Sequence, residues 1–286
     1  MRLLVAGSGG QLGRALAALA GPEVTVVAPP EAEFDVTDRA AIARIVAQTA
    51  PDVLVNAAAY TAVDRAESEP ERAMLLNGHA PGWMAEAARM AEAGFVHVST
   101  DFVFDGSRST PYPPDAPPAP LGVYGATKRA GEEAVLAAHP DALVVRTAWV
   151  HAAQGQNFVR TMLRLMAERD EVRVVSDQVG SPTHAASLAR AIVALVRAGA
   201  AGLHHWTDAG LASWYDFAVA IMEEARARGL LARAVPVVPI RTEDYPTPAR
   251  RPAYSVLDCS ATRALVGRPA HWRDELRCVL DQIAAA

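Results

Sequence analysis

A tyrosine and a lysine four residues apart are the side chains of this sequence best suited to chemistry. Tyr124 and Lys128 lie in the segment Tyr-Gly-Ala-Thr-Lys, and residues at this spacing project from one face of a helix. A nearby ammonium favours the phenolate and lowers the pKa of a tyrosine, and a general acid works best near the operating pH. The pair predicts proton transfer by Tyr124, with Lys128 lowering its pKa and hydrogen-bonding a ribose.

Lys128 is the only lysine of the chain, beside 26 arginines. On a solvated surface arginine replaces lysine readily, but its planar fork does not replace a compact, titratable amine. The alternative is that this lysine has been retained by chance, although a randomly placed lysine would seldom lie four residues after a tyrosine. The composition therefore indicates that this position needs an amine.

Polar residues follow an apolar run over 95–98 that predicts a strand. Ser99, Thr100 and Asp101 stand at its end, and parallel sheets bind their ligands at the carboxyl ends of strands. Thr100 is therefore a candidate to hydrogen-bond the carbonyl oxygen that Tyr124 protonates. An ordinary helix cap or turn is the alternative.

Three glycines follow the first predicted strand and open the first predicted helix. Gly7, Gly10 and Gly13 have the strand-to-helix context that a dinucleotide phosphate loop requires, although their spacing is one residue wider at the start than the usual fingerprint. Small residues let the backbone approach a pyrophosphate bound at a helix N-terminus; a plain tight turn is the alternative. No acid ends the second strand, where Ala28-Pro29-Pro30 stands, so nothing repels a 2′-phosphate. This tilts the expectation from NADH towards NADPH, with Arg14 in support.

Two further segments are candidates to line a cofactor. Asp35 and Val36 lie where a strand or turn brings a carboxylate near an adenine amino group, although helix capping, with Thr37 or Asp38 as the cap, is the alternative. The segment 56–59, Asn-Ala-Ala-Ala, ends a predicted strand with small side chains that permit close approach. Tight packing of the strand against a helix would explain those alanines equally well.

Composition excludes several classes of protein. The chain has 286 residues and a net charge of −5, which argues against non-specific binding of nucleic acid. It has no apolar run long enough for a membrane span, and structure starts at Arg2, which leaves no room for a signal peptide. Cys259 and Cys278 form neither a CxxC pair nor a metal set. We expect a cytoplasmic protein with reduced cysteines and no metal site of its own.

Predicted strands and helices alternate along the first 150 residues, which is typical of an α/β protein with a doubly wound parallel sheet, the Rossmann arrangement. We expect an NAD(P)-binding domain over 1–150, to which 184–210 returns, and a smaller C-terminal domain, mainly for substrate, over 151–286. Residues 105–121 are rich in proline and predict either a plain surface loop or one that borders a site. The predicted strands are 2–6, 24–28, 52–56, 95–99, 143–147, 172–175 and 203–206, and the predicted helices are 11–20, 38–48, 71–92, 123–138, 157–168, 185–197, 214–228 and 271–283.

Together these motifs resemble the extended short-chain dehydrogenase/reductases and, more closely, the dTDP-4-dehydrorhamnose reductase family, over nearly the whole chain. The last motif below is specific to that family rather than to reductases at large. The segments that carry the resemblance are Gly7–Gly13, Asp52–Ala59, Thr61–Asp64, Glu67–Glu69, Ser99–Asp101, Val103–Gly106, Tyr124–Lys128, Arg146–Thr147, Trp149–Val150, Asn157–Phe158, Asp177–Gln178, Gly180, Pro182–Thr183 and Tyr245–Pro252.

The resemblance implies hydride transfer from NADPH or NADH to C4 of a nucleotide-linked 4-keto-6-deoxyhexose, giving dTDP-L-rhamnose. It implies Tyr124 as proton donor, Lys128 as the group that tunes it and Thr100 as the group that orients the carbonyl. It implies that substrate meets Thr100, Asp101, Trp149, Asn157, Arg250 and Arg251, the arginines because their forks match phosphate geometry. The residues implied to line the cofactor are Gly7, Gly10, Gln11, Leu12, Gly13, Asp35, Val36, Ala57, Ala58, Ala59, Tyr60, Thr61, Ser99, Tyr124 and Lys128.

For three of the substrate residues a plainer role is open. Arg250 and Arg251 would also suit a surface ion pair, and Trp149 would suit an aromatic core at the seam between domains.

Two departures from the family pattern limit the resemblance. Phe102 follows Ser-Thr-Asp where the family usually has a tyrosine, so any contact of that hydroxyl is lost. Some members hold Mg²⁺ between subunits through a glutamate on the first helix, but Ala15 stands in that neighbourhood here. A homodimer is compatible with the resemblance, whereas a metal-linked one is not predicted.

Two other functions fit the same motifs. One is a reductase or epimerase acting on another nucleotide sugar, because the Thr-Tyr-Lys set is shared across such folds. The other is a non-catalytic NADP-binding subunit similar to the regulatory beta subunit of methionine adenosyltransferase. The complete set of Thr100, Tyr124 and Lys128 favours catalysis.

Overall fold

The structure, a computed structural model, describes all residues 1–286. Its strands are β1 (Arg2–Ala6), β2 (Thr25–Val27), β3 (Val53–Asn56), β4 (Gly94–Thr100), β5 (Leu143–Thr147), β6 (Val150–His151), β7 (Val172–Val175), β8 (Val179–Gly180), β9 (Thr183–His184), β10 (Gly202–His205), β11 (Ala212–Ser213) and β12 (Val237–Ile240). Its α-helices are α1 (Gln11–Ala17), α2 (Arg39–Thr49), α3 (Val63–Ala66), α4 (Pro70–Met74), α5 (Ala80–Met90), α6 (Val123–Ala138), α7 (Phe158–Glu168), α8 (Ala185–Arg197), α9 (Trp214–Ala227), α10 (Ser260–Val266) and α11 (Trp272–Ala284).

Six strands form the central sheet, in the order β10-β5-β4-β3-β1-β2, and every neighbouring pair is parallel. From β1 the chain adds β2 on one side and then crosses to add β3 on the other. Such a reversal opens a crevice at the carboxyl ends of the strands, where doubly wound sheets bind ligands. The predicted fold class is confirmed, and the glycine loop after β1 lies at this crevice.

Helices cover both faces of the sheet, which explains the continuous apolar runs in its strands. One face packs with α1 and α8 through residues such as Leu16 and Leu188. The other packs with α2, α5 and α6 through residues such as Ile42, Met84 and Val135. The sheet is therefore held rigidly from both sides, as a platform for the groups at its edge.

A separate apolar core forms in the C-terminal half, from α7, α9, α11 and β7. Two-stranded sheets accompany it: β7 pairs with β12 in parallel and β8 pairs with β11 in antiparallel fashion. Two elements in the middle of this half belong to the central sheet instead: β10 pairs with β5, and α8 covers one face of the sheet.

The helical stretch predicted over 71–92 contains an irregularity. Between α4 and α5 the backbone forms one π turn over Leu75–His79, and single π turns in helices frequently mark functional sites. The Asn77 side chain in this turn bonds the backbone N–H and C=O of Tyr60 and donates to Thr127 Oγ1 on α6 at 3.2 Å. The turn thus anchors the segment after β3 to the helix that carries Tyr124.

The proline-rich loop over 105–121 is docked rather than free. Tyr112 forms backbone hydrogen bonds with Val256 and Asp258, and its ring stacks on Phe104 in a small apolar cluster. From the sheet, Arg146 Nη1 donates to Pro114 O at 3.1 Å. The loop therefore connects the central sheet with the C-terminal segment near the end of β4.

Sequence periodicity located most elements to within three residues, and α6, α8, β5 and β7 occur as predicted. It missed α3, α10, β12 and the two-residue strands β6, β8, β9 and β11. Pro239 interrupts the apolar pattern of β12, and α10 is only seven residues long. No helix of the chain is both long enough and apolar enough to cross a bilayer.

Candidate active site

The glycine loop after β1 approaches the end of β3 so closely that side chains are excluded. Gly7 has φ +80°, and a Cβ there would come within 2.6 Å of the Ala58 backbone N. A Cβ on Gly13 would overlap the carbonyl oxygen of Gly7. Both positions need glycine, because a side chain would push the loop away from the crevice.

The first turn of α1 leaves donors for an anion. The N–H groups of Gln11, Leu12 and Gly13 have no partner in the chain, as expected at a helix start, and Gly10 caps the helix without a side chain. The Leu12 side chain is buried in the core beneath the sheet, so its backbone alone faces the crevice. The loop fits a pyrophosphate because its cradle is made of backbone donors.

The start of α6 is held by a residue distant in sequence. Glu67 Oε1 accepts a 2.8 Å hydrogen bond from Val123 N, the first residue of the helix. The neighbouring residue Tyr124 packs its ring edge-on against Phe102, at the end of β4, with centroids 5.5 Å apart. The end of β4 and the start of α6 thus meet at the phenol.

Lys128 is buried one turn further along α6, with 2% of its surface exposed. Its Nζ donates to Val98 O at 2.7 Å and lies 3.3 Å from His97 Nε2. Burial lowers the pKa of Lys128 to about 8, while the Glu132 carboxylate opposes this change. The amine predicted from composition is therefore enclosed and titratable.

The expectation that Lys128 lowers the pKa of Tyr124 is wrong for this structure. Burial raises the pKa of Tyr124 to about 12, the Thr100 hydroxyl partly opposes it, and the Asp101 charge adds to the rise. The Lys128 amine is directed at β4, where it donates to Val98 O. It therefore does not offset the effect of burial on the pKa of Tyr124. Tyr124 is a neutral acid over the physiological range.

Thr100 and Asp101 form a polar pair at the carboxyl end of β4. Thr100 Oγ1 donates to Asp101 Oδ1 at 3.0 Å and accepts from Phe102 N at 3.2 Å. Burial raises the pKa of Asp101 to about 6. Its Oδ2 and the Thr147 hydroxyl at the end of β5 are buried without a partner, and such groups call for a ligand or water.

Ser99, expected to line a cofactor, lies deeper. It is buried. The Ser99 hydroxyl has no hydrogen-bond partner in the chain, so its contact with a cofactor stays a prediction.

The segment after β3 is accessible at four of its five candidate residues. Ala57, Ala58 and Ala59 are partly exposed, and Thr61 is exposed. Tyr60 is turned away, because its hydroxyl donates to Glu69 Oε2 at 2.9 Å and its ring packs with Ala66. Only the alanines and Thr61 face a ligand in this segment.

Asp35 lies in a turn rather than a strand. Its Oδ1 accepts from both the N–H and the hydroxyl of Thr37, at 2.8 and 2.7 Å, and Oδ2 has no bond in the chain. Val36 is buried in the core, while Asp38 caps α2. Of the two predicted residues, Asp35 presents a polar atom to the crevice.

Trp149 has an unusual backbone conformation for a large residue, with φ +49°. Its indole stacks on Trp214 with centroids 3.5 Å apart and planes 6° from parallel, and its edge lies against Gly180. Strain of this kind persists where the surroundings impose it and is common at functional sites. The aromatic seam anticipated as the alternative is present, and Trp149 stays partly exposed.

Three predicted substrate residues differ in how free they are. Arg250 is exposed, but the Arg251 guanidinium is engaged by both oxygens of Asp64 at 3.0 and 2.8 Å. Asn157 caps α7 through Arg160 N and donates to Gln11 Oε1 at 2.8 Å. Arg251 and Asn157 thus both have partners within the chain, and their contact with a diphosphate stays a prediction.

No group of three or more His, Cys, Asp or Glu side chains in the chain is placed to hold a metal ion. The cysteines are unpaired, Cys259 buried and Cys278 exposed.

Sequence reasoning assigned no role to several residues that build this site. Glu67 caps α6, Asn77 ties α6 to the segment after β3, and His97 contacts Lys128. The motif 67–69 was noticed, but its partner lies 56 residues away. A polar residue inside an otherwise apolar stretch, such as His97 in 95–98, is the sequence feature that could have pointed to them.

Comparison with known proteins adds a family. The model of the family described as RmlD substrate binding domain matches residues 1–285. The dTDP-4-dehydrorhamnose reductase of Burkholderia thailandensis is 46% identical over 278 residues, 93% of each chain. The crystal structure of a dTDP-4-dehydrorhamnose reductase from Clostridium acetobutylicum superposes with a TM-score of 0.92 at 38% identity, covering 99% of both chains. That of the Bacillus anthracis enzyme in complex with NADP gives 0.93 at 34% identity, covering 98% of this chain and 99% of that one.

Proposed function

Because the chain belongs to the RmlD substrate binding domain family, whose relatives above are dTDP-4-dehydrorhamnose reductases, we propose that it reduces dTDP-4-dehydro-L-rhamnose to dTDP-L-rhamnose. The reductant is NADPH or NADH. One observation supports the proposal: the end of β4 and the start of α6 bring Thr100 and Tyr124 together, with Lys128 buried one turn further along the same helix.

The glycine loop holds the cofactor diphosphate. Gly7, Gly10 and Gly13 supply the space, and the N–H groups of Gln11 and Leu12 supply the donors. Asp35 Oδ2 is available to the adenine amino group, and Ala57–Ala59 leave room beside it. NADPH is the preferred form, since no acid ends β2 and the exposed Arg14 stands near by.

The bound cofactor supplies the hydride that reduces C4 of the sugar. Tyr124 donates its phenolic proton to the carbonyl oxygen as that oxygen gains charge, and its raised pKa keeps the proton in place until then. Thr100 turns its hydroxyl from Asp101 towards the same oxygen. Lys128 lies below and supports the phenol after the proton has left.

Substrate recognition falls to groups around the same edge. Asp101 Oδ2, which has no partner, accepts from a sugar hydroxyl, and Trp149 forms a wall of the sugar pocket. Arg250 pairs with the diphosphate, whereas Arg251 and Asn157 hold the walls in position. Residues 151–286 form most of this substrate part, apart from α8 and β10.

We place the reaction in the cytoplasm, since both cysteines are unpaired, as is usual in a reducing compartment.

The proposal is tested by mixing the purified protein with NADPH and dTDP-4-dehydro-L-rhamnose and following the nicotinamide absorbance. We expect substrate-dependent oxidation, and we expect Tyr124→Phe to lose about 10²-fold or more of the rate while binding NADPH normally. Turnover of a UDP- or GDP-linked keto sugar alone would instead indicate a different nucleotide-sugar reductase. Tight NADP binding without turnover of any of these sugars would indicate a regulatory subunit.

A further inference from the structure

A line of three buried side chains lies beneath the site, and two of them, Asn56 and His97, have no role in the reaction described above. Asn56 ends β3, His97 lies on β4 and Lys128 on α6. Asn56 Nδ2 is 3.1 Å from His97 Nδ1, and His97 Nε2 is 3.3 Å from Lys128 Nζ. Asn56 and His97 are fully buried, so water cannot rearrange their hydrogen bonds.

The orientation of the Asn56 amide follows from the backbone. Ala58 N–H donates to Asn56 Oδ1 at 3.0 Å, and a backbone N–H can only donate, so the oxygen must be on that side. The amide nitrogen therefore faces His97. An amide nitrogen has no free acceptor, and His97 Nδ1 must accept its hydrogen bond.

This arrangement selects one tautomer of the imidazole. A neutral histidine that accepts at Nδ1 carries its proton on Nε2, and that proton points towards Lys128 Nζ. An ammonium has three donors and no acceptor, whereas a neutral amine has a lone pair. Only the neutral amine accepts from His97 and still donates to Val98 O at 2.7 Å.

We propose that Asn56, acting through the Nε2–H tautomer of His97, holds Lys128 as a neutral amine in the protein without cofactor. Asn56 and His97 are then positioning residues, because they act on the site only through Lys128. The consequence for catalysis rests on the proposed function: Lys128 must gain a proton before it can stabilise the Tyr124 phenolate.

The surroundings of Lys128 are compatible with this state. The nearest carboxylate, Glu132 on α6, is neutralised by Arg146 on β5 and by Arg129 on its own helix. Tyr124, also on α6, is a neutral phenol. Towards β4, Lys128 contacts His97 and the carbonyl of Val98, and Asn77 in the π turn is uncharged. Burial lowers the pKa of both Lys128 and His97, which favours a pair of neutral groups.

The experiment uses the fact that Lys128 is the only lysine. Protein labelled with lysine carrying ¹³C at Cε gives a single side-chain signal, whose shift against pH reports the charge of this amine. An amine that is neutral at pH 7 must titrate below that pH, so in cofactor-free wild type we expect a midpoint below about 7, as buried lysines can show, compared with ~10.4 for a free lysine. A wild-type midpoint at or above about 8 overturns the proposal.

Two variants of Asn56 separate the tautomer from plain charge. In Asn56→Asp the carboxylate accepts from Nδ1–H, so Nε2 becomes an acceptor, and the Lys128 midpoint should rise by about one unit or more. Asn56→Ala adds no charge but releases Nδ1, so its midpoint should also rise. A rise in Asn56→Asp without any rise in Asn56→Ala would mean that charge alone is responsible, and would overturn the tautomer assignment.

The tautomer is read directly from ¹⁵N-histidine spectra of the wild type, where the His97 signals are those absent from His97→Gln. We expect a protonated Nε2 and an unprotonated Nδ1; the reverse overturns the proposal even if the Asn56 variants fail to fold. Neither measurement uses cofactor or substrate. A protein that titrates as expected but reduces no keto sugar would refute the proposed function and leave this inference standing.

Discussion

Gln11 in the glycine loop and Asn157 at the start of α7 are joined by a 2.8 Å hydrogen bond from Asn157 Nδ2 to Gln11 Oε1. The same asparagine caps α7 through its Oδ1, and Gln11 Nε2 reaches Val150 O at 3.4 Å. The loop proposed to hold the cofactor and the first helix of the substrate part are therefore connected by one side-chain pair. Asn157, predicted from sequence to bind a phosphate, therefore also connects these two parts of the chain.

The two roles of Asn157 are separable by substitution. Asn157→Ala loses both the cap and the contact, and should lower the free energy of unfolding by about 1 kcal/mol and raise KM for the cofactor. Asn157→Ser keeps a capping oxygen but lacks the amide, so it should retain stability and still raise KM. Thermal unfolding and steady-state kinetics measure the two effects. Unchanged KM in both variants would show that the contact has no influence on cofactor binding.

Lys128 should be irreplaceable by arginine even though the charge is kept. Its pocket is closed, with contacts at 2.7 and 3.3 Å, and a guanidinium is too large and does not titrate. Lys128→Arg should lose about 10²-fold or more in kcat. The matched control is Arg164→Lys, in an exposed pair with Glu168, which should leave kcat within about twofold. Equal kcat for Lys128→Arg and wild type would refute the need for an amine.

Arg250 and Arg251 should differ despite being neighbours. Arg250→Ala removes an exposed charge and should raise KM for the nucleotide sugar with little change in unfolding. Arg251→Ala breaks the paired contact with Asp64 and should destabilise the protein by about 1–3 kcal/mol. A double-mutant cycle with Asp64→Ala measures the coupling in the second case. If Arg250→Ala leaves KM unchanged, the diphosphate is bound elsewhere.

Glu224 should make the free energy of unfolding depend on pH in the acid range. Hydrogen bonds from Arg277, Arg273 and Arg228 lower the pKa of Glu224 from 4.5 to about 2, and a lowered carboxyl pKa stabilises the fold above the unfolded value. The stabilisation is present above about pH 4.5 and is lost as the pH falls towards 2. Glu224→Gln should cost about 2 kcal/mol at pH 7 and almost nothing near pH 2.

Chemical denaturation across this pH range measures the Glu224 effect. Glu223→Gln is the control, because Glu223 is half-exposed and pairs only with Arg273, so its substitution should cost no more than about 0.5 kcal/mol. A pH-independent difference between wild type and Glu224→Gln would contradict the assigned pKa.

Much of the fold follows from local pattern. The apolar runs of β1, β3 and β5 and the helical period of α6 and α8 repeat over enough residues to be read without any partner. Gly7 and Gly13 were also interpretable, because a strand, a turn and a helix lie within a dozen residues. The π turn at Asn77 could not be predicted from the sequence. One extra residue in a helical repeat is interpretable only when the partners of Asn77, which are Tyr60 and Thr127, are known.

The sequence by itself determined the parallel sheet, the phosphate loop, the resemblance to a reductase family and the importance of a single lysine. Each of these is encoded by residues close together in the chain or by composition. Only the tertiary structure decided which partners the chosen residues have: Arg251 is paired with Asp64, Asn157 donates to Gln11, and Lys128 contacts His97. These contacts join residues 31 to 187 positions apart, and the charge state of a buried group depends on such neighbours, which no local pattern contains.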